Sequence, residues 1–223
     1  MFIILPYHVD VPMRTLPWMN WVLIGVTVLF YPLCGQDGHF TPLGESLVRG
    51  QGPFGWVGSV LVHGDLFHLL GNMLFLWIFG NAVCSKVGNL AYPFVYFGLG
   101  TLAGVVSYSI DPRPAIGASG AINGIVGMFV VWYLLNDLSC WYAYWFVSLA
   151  NAGHFALSSY WMVLLWLVFD LWGIIRGGGN IGHLTHLAGL VAGFVLGVVL
   201  LMTKLVEMDK SERSLLQVFT GDE

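Results

Sequence analysis

One serine and one histidine, each set among glycines in apolar sequence, are the residues best placed to do chemistry. They are Ser119 in Gly117-Ala118-Ser119-Gly120 and His186 in Gly182-His183-Leu184-Thr185-His186-Leu187-Ala188-Gly189. A serine hydroxyl is a weak nucleophile at neutral pH until a base takes its proton, and histidine is the usual base. Acyl transfer also needs donors aimed at the developing oxyanion. If Ser119 opens a helix, unpaired backbone N–H groups and the helix dipole supply part of that field. His68 and Asn72, spaced i,i+4 on one face, can add side-chain donors. The set reads as a Ser-His dyad with an oxyanion hole. It is not a nucleophile elbow of the Gly-x-Ser-x-Gly kind, because Ala121 stands at the last glycine position.

The elements that would position this pair are membrane helices. The chain has 223 residues, 57% of them hydrophobic and 9% charged, with mean hydropathy +0.79; a soluble globule carries about 25% charge. Its net charge of −4 arises from few groups, and no basic nucleic-acid footprint is visible. Cys34, Cys84 and Cys140 are scattered and odd in number, so they form neither a disulfide framework nor a CxxC metal site. The first apolar run lacks a cationic lead and a small-residue cleavage site, so it is expected to be a retained span.

A spanning helix takes about 20 apolar residues, and six segments qualify: residues 17–33, 59–83, 90–110, 118–135, 160–175 and 180–203. The expected architecture is an all-α, polytopic bundle of six transmembrane helices, with an N-terminal segment 1–16, a membrane domain 17–203 and a charged tail 204–223 that is solvated or disordered. A long Gly/Pro-rich loop, 34–58, follows the first span, and a short turn with Lys86 and Gly88 leads to the third. Residues 140–150, dense in Trp and Tyr, read as an interfacial segment. Arg14, Lys86, Lys204, Lys210 and Arg213 on one side, against Arg49, Arg113 and Arg176 on the other, favour cytoplasmic termini and an inner or plasma membrane.

The second, fourth and sixth spans run in the same direction, so His68, Ser119 and His186 share a leaflet. The short fourth span, about 26 Å at 1.5 Å per residue, submerges Ser119 to a depth like that of His186. His186, Gly189, Gly193 and Gly197 recur on one helix face, while Gly120, Gly124 and Gly127 thin the fourth helix. Such small-residue faces allow close backbone approach. The other polar residues have plainer readings: His63 an interfacial or loop anchor, His183 interfacial, Asp65 a capping carboxylate. Asp170 reads as a hydrogen-bonded structural acid rather than a third triad member.

Taken jointly, His63-xxxx-His68-xxx-Asn72, Gly117-Ala118-Ser119-Gly120 and His186-xx-Gly189-xxx-Gly193 resemble the rhomboid intramembrane serine proteases over about residues 12–201. The resemblance implies a bundle in the lipid bilayer that hydrolyses peptide bonds in or near transmembrane helices of substrate proteins, without cofactor or metal. By position it implies Ser119 as nucleophile, His186 as general base, and His68, Asn72 and the Ser119 N–H as the oxyanion hole. His63 would hold the second span and first loop, while Gly117, Gly120, Gly189 and Gly193 would be supporting glycines. The fifth span would gate lateral access. The chain departs from the family where Phe54-Gly55 replaces a Trp-Arg pair, Cys84 a glutamate and Asn123 a tyrosine one turn after the serine. A rhomboid-like pseudoenzyme that binds transmembrane helices is the alternative. A metalloenzyme built on His63, His68, His183 and His186 is disfavoured, since no HExxH or HxxEH run is present.

Overall fold

The computed structural model describes residues 2–36, 39–48, 53–113, 115–146, 149–176, 181–212 and 214–215. Arg49 and Arg213, used in the charge count, lie outside the described residues, as do the glycines 177–179, Asn180 and the end of the tail. The chain is mostly helical. Among the described residues, the apolar helices that carry the fold are α1 (Trp18–Cys34), the rod formed by α4 (Leu66–Phe75), a π turn (Leu76–Gly80) and α5 (Asn81–Val87), α6 (Tyr92–Ile110), α7 (Ser119–Tyr133), α8 (Ser159–Ile175) and α9 (Ile181–Met202). Two short helices, α2 (Pro42–Val48) and α3 (Pro53–Gly58), lie between α1 and α4.

Among the described residues, three helical segments are long and apolar enough to cross a membrane: Leu66–Val87, Tyr92–Ile110 and Gly182–Met202. The other three apolar helices are shorter. At 15 residues, α7 is about 22 Å long at the usual rise. The second helix also begins later than expected. Asp65 caps it, its carboxylate Oδ1 accepting from His68 N at 2.8 Å, so His63 stands before the helix rather than within it. Residues 59–61 form a 3₁₀ turn instead.

The all-α expectation fails at two small sheets. The aromatic segment from Cys140 to Phe146 is a strand: β4 (Asp137–Phe146) is the centre of an antiparallel sheet of order β1-β4-β5, flanked by β1 (Phe2–Val9) and β5 (Leu149–Ser158). Aromatic residues suit the pleated surface of a strand. The pairing runs from Phe2↔Tyr144 to Val9↔Leu138 on one side and from Asp137↔Ser158 to Phe146↔Leu149 on the other. A two-residue hairpin, β2 (Gly35–Gln36) with β3 (His39–Phe40), follows α1.

The core centres on α7, which is buried along nearly its whole length. Its closest neighbour is α9, and glycine sets the distance. A Cβ at Gly193 would fall 1.8 Å from Gly124 O, one at Gly189 2.2 Å from Gly120 O, and one at Gly127 2.2 Å from Leu190 O. The outer surface, by contrast, exposes Leu29, Phe94, Ile110, Phe169, Ile175 and Met202. Large apolar side chains on the outside and polar ones within is the arrangement that lipid, not water, favours.

At the end of the bundle away from Ser119, polar contacts do the fastening. Asn20 Nδ2 donates to Leu76 O at the π turn and to Asn81 Oδ1, both at 2.9 Å, and Asn20 Oδ1 accepts from Tyr92 Oη at 2.8 Å. Cys84, where the family commonly has glutamate, is buried, with Sγ 3.5 Å from Asn89 Oδ1. Lys86 is not in a surface turn but in the last turn of α5, paired with Glu212 out of solvent and 5.0 Å from the Tyr133 ring. The start of the tail therefore packs back onto the bundle, burying Val206 and Glu212, instead of being solvated.

Candidate active site

The segment leading into α7 is stitched to the segment leading into α4. Gly117 N donates to Ser59 O at 3.0 Å, and Ala118 N donates to His63 Nε2 at 3.4 Å. His63 Nδ1 lies 3.3 Å from Leu61 O, so with Nε2 accepting, Nδ1 is the protonated nitrogen. The ring is fully buried. Burial, reinforced by neighbouring His68, pushes the His63 pKa down to about 4. A neutral His63 thus braces the backbone one residue before Ser119.

Gly117 has φ +105°, a conformation open to glycine. A Cβ there would lie 2.8 Å from His68 Cε1, 2.9 Å from His68 Nε2 and 3.7 Å from Asn72 Nδ2. Both candidate oxyanion donors therefore hang over the backbone two residues before the serine. Asn72 is 6% exposed, and its Nδ2 is buried, with no hydrogen-bond partner among the described residues.

Ser119 is the first residue of α7 and is buried. Asn123 Nδ2 donates to Ser119 O at 2.9 Å, one turn on. It holds the serine's own carbonyl, where a tyrosine would have offered a ring. His186 lies on α9 next to Thr185, whose Cγ2 is 2.8 Å from where a Gly120 Cβ would sit. The glycine contacts thus bring the stretch of α9 that carries His186 against the stretch of α7 that carries Ser119.

The structure enlarges the site at its far side. His186 Nδ1 is 2.9 Å from Asp170 Oδ1, and His183 Nδ1 is 2.7 Å from the same oxygen. Asp170 is thus hydrogen-bonded, as expected of a structural acid, and its partners are His186 and the neighbouring His183. The signal was present in the spacing: residues i and i+3 share a helix face, so an acid that reaches one histidine reaches the other. Asp170 and Ser159 are the buried residues of α8, which otherwise touches the site through Trp166. That ring lies 6.0 Å from His186 and 4.0 Å from Phe75 of α4.

The Rhomboid domain family matches residues 51–203. The chain is 28% identical over 199 residues to Rhomboid protease GluP of Bacillus subtilis, covering 84% of this chain and 36% of GluP. It is 31% identical over 146 residues to Rhomboid-like protein 11, chloroplastic, of Arabidopsis thaliana, covering 63% and 50%. It is 28% identical over 140 residues to the mitochondrial presenilin-associated rhomboid-like protein of Homo sapiens, covering 60% and 35%. The matched region is thus half or less of each relative's length. With these matches, and with apolar helices surrounding buried polar residues, the chain is a multi-pass membrane protein that belongs to the rhomboid family.

Proposed function

We propose that the chain is an intramembrane serine endopeptidase that hydrolyses peptide bonds in or near the transmembrane helices of substrate proteins. Ser119 Oγ attacks the carbonyl carbon, and His186 Nε2 takes its proton and later passes it to the leaving amine. Water then repeats the cycle on the acyl-enzyme. With its Nδ1–H donated to Asp170, His186 keeps the Nε2 lone pair for the serine, so Asp170 is a positioning residue that adds a third member to the expected dyad. His68, Asn72 and the Ser119 N–H receive the oxyanion. The name of GluP as a protease is in keeping with this reading.

The observation that carries the proposal is the convergence of the buried Asn72 amide and the His68 ring on Gly117, two residues before the serine. Donors held against the backbone at the nucleophile are what transition-state charge requires. Six membrane-embedded helices with cytoplasmic termini, the short α7 holding Ser119 below the surface, complete the reading. The sparsely buried α8 is its movable wall, closed against α4 at Phe75–Trp166.

The test is reconstitution of the purified chain in vesicles with a single-span substrate. Wild type should release two fragments; Ser119→Ala and His186→Ala should release none. Cleavage that survives either change removes the assignment, and a wild type that binds substrate without cutting it favours the pseudoenzyme.

A further inference from the structure

Two imidazoles reach the Asp170 carboxylate, and hydrolysis uses one of them. One ring nitrogen each from His183 and His186 and an Asp170 oxygen all lie within 4.8 Å of one another. The second ring has a place made for it. Gly173, three residues after Asp170 on α8, faces His183, and a Cβ there would fall 2.1 Å from His183 Nε2 and 2.3 Å from Cδ2. Any larger residue would drive the ring from the carboxylate. The His183 and His186 side chains keep 23% and 18% of their exposure, so the group is reachable.

We propose that Asp170, His183 and His186 form a binding site for a divalent transition metal ion of the zinc class, and that the bound ion silences the hydrolytic site. Two imidazole nitrogens and one carboxylate oxygen, with a fourth position left to water, is a donor set zinc accepts. Magnesium and calcium want more oxygens than this site offers. The ligands come from two helices, 13 and 16 residues from Asp170 in the chain, so no short sequence motif announces them.

Silencing follows from the tautomer. Without metal, His186 carries its proton on Nδ1 and holds an open lone pair on Nε2. An ion on Nδ1 takes the place of that nitrogen's proton, which passes through solvent to Nε2. The ring stays neutral and no proton is lost, but Nε2 can no longer accept from Ser119. The inhibitory half rests on the hydrolytic reading; the binding half does not.

The test titrates the full chain in detergent with Co(II), reading its visible absorption, with Zn(II) as competitor, and runs the cleavage assay alongside. Wild type should show the bands of a low-coordinate Co(II) site that Zn(II) displaces, and Zn(II) should block cleavage. His183→Gln should bind at least about tenfold more weakly and cleave in the presence of Zn(II) that stops wild type. Gly173→Ala, which keeps all three ligands, should weaken binding in the same way. Absent bands in wild type, or binding and inhibition unchanged in His183→Gln, would overturn the site. Binding that depends on His183 in a chain that cleaves nothing without metal would uphold the site and retire the hydrolytic reading with its inhibition.

Discussion

His186 Nδ1 on α9 lies 2.9 Å from Asp170 Oδ1 on α8, so the proposed base is oriented by a helix that otherwise buries little. Asp170→Asn should keep the shape while offering a donor where an acceptor is needed. We expect kcat to fall by roughly 10²- to 10⁴-fold, in the range of general-base and triad effects, with KM nearly unchanged. Steady-state cleavage in vesicles measures the split; a loss confined to KM would show that Asp170 acts on substrate binding instead.

Asn72 offers the opposite pairing of effects. Asn72→Ala should lower turnover by about ten- to a thousandfold, as for other oxyanion donors. Asn72→Leu should do the same and also raise the thermal midpoint, because it removes a buried donor that has no partner among the described residues. A rate equal to wild type in both variants would take Asn72 out of the oxyanion hole.

His63 makes stability depend on acid. Its folded pKa is near 4, below the ordinary value of about 6.5, so the unfolded chain binds the proton first. Stability is therefore full above about pH 6.5 and is lost as pH falls toward 4, by about 3 kcal/mol in all. Below pH 4 the protonated ring can no longer accept from Ala118 N. Thermal unfolding across this range should show the slope in wild type and a flatter one in His63→Phe; equal slopes would exclude His63 as its source.

The glycine contacts between α7 and α9 predict a graded series. Gly193→Ala, whose methyl would lie 1.8 Å from a backbone oxygen, should force the helices apart, destabilise strongly and abolish cleavage. Gly197→Ala, 3.1 Å from Met128 Cα, should be milder, and Gly25→Ala, with nothing within 4 Å, neutral. Unfolding in a denaturing detergent ranks them; three similar midpoints would contradict the packing.

The apolar helices and their glycine faces were legible because span length and i,i+4 spacing are local properties. So were His68, Asn72 and the loop carrying Ser119. The sheet was not, because β1 pairs with β4 across more than a hundred residues and aromatic crowding looks alike in a strand and an interfacial segment. The partners of Asp170 were hidden for a related reason: a lone acid in an apolar helix shows no partner until a second helix is docked on it. Glu212, likewise, looked like part of a solvated tail until Lys86 received it.

The central claim is that Ser119 is a nucleophile activated by His186, and covalent labelling reads it without any substrate. A fluorophosphonate probe added to the purified chain in detergent should modify Ser119, found by peptide mass, with no labelling in Ser119→Ala and a much slower rate in His186→Ala. Labelling that persists in Ser119→Ala, or proceeds at the wild-type rate in His186→Ala, would contradict the account.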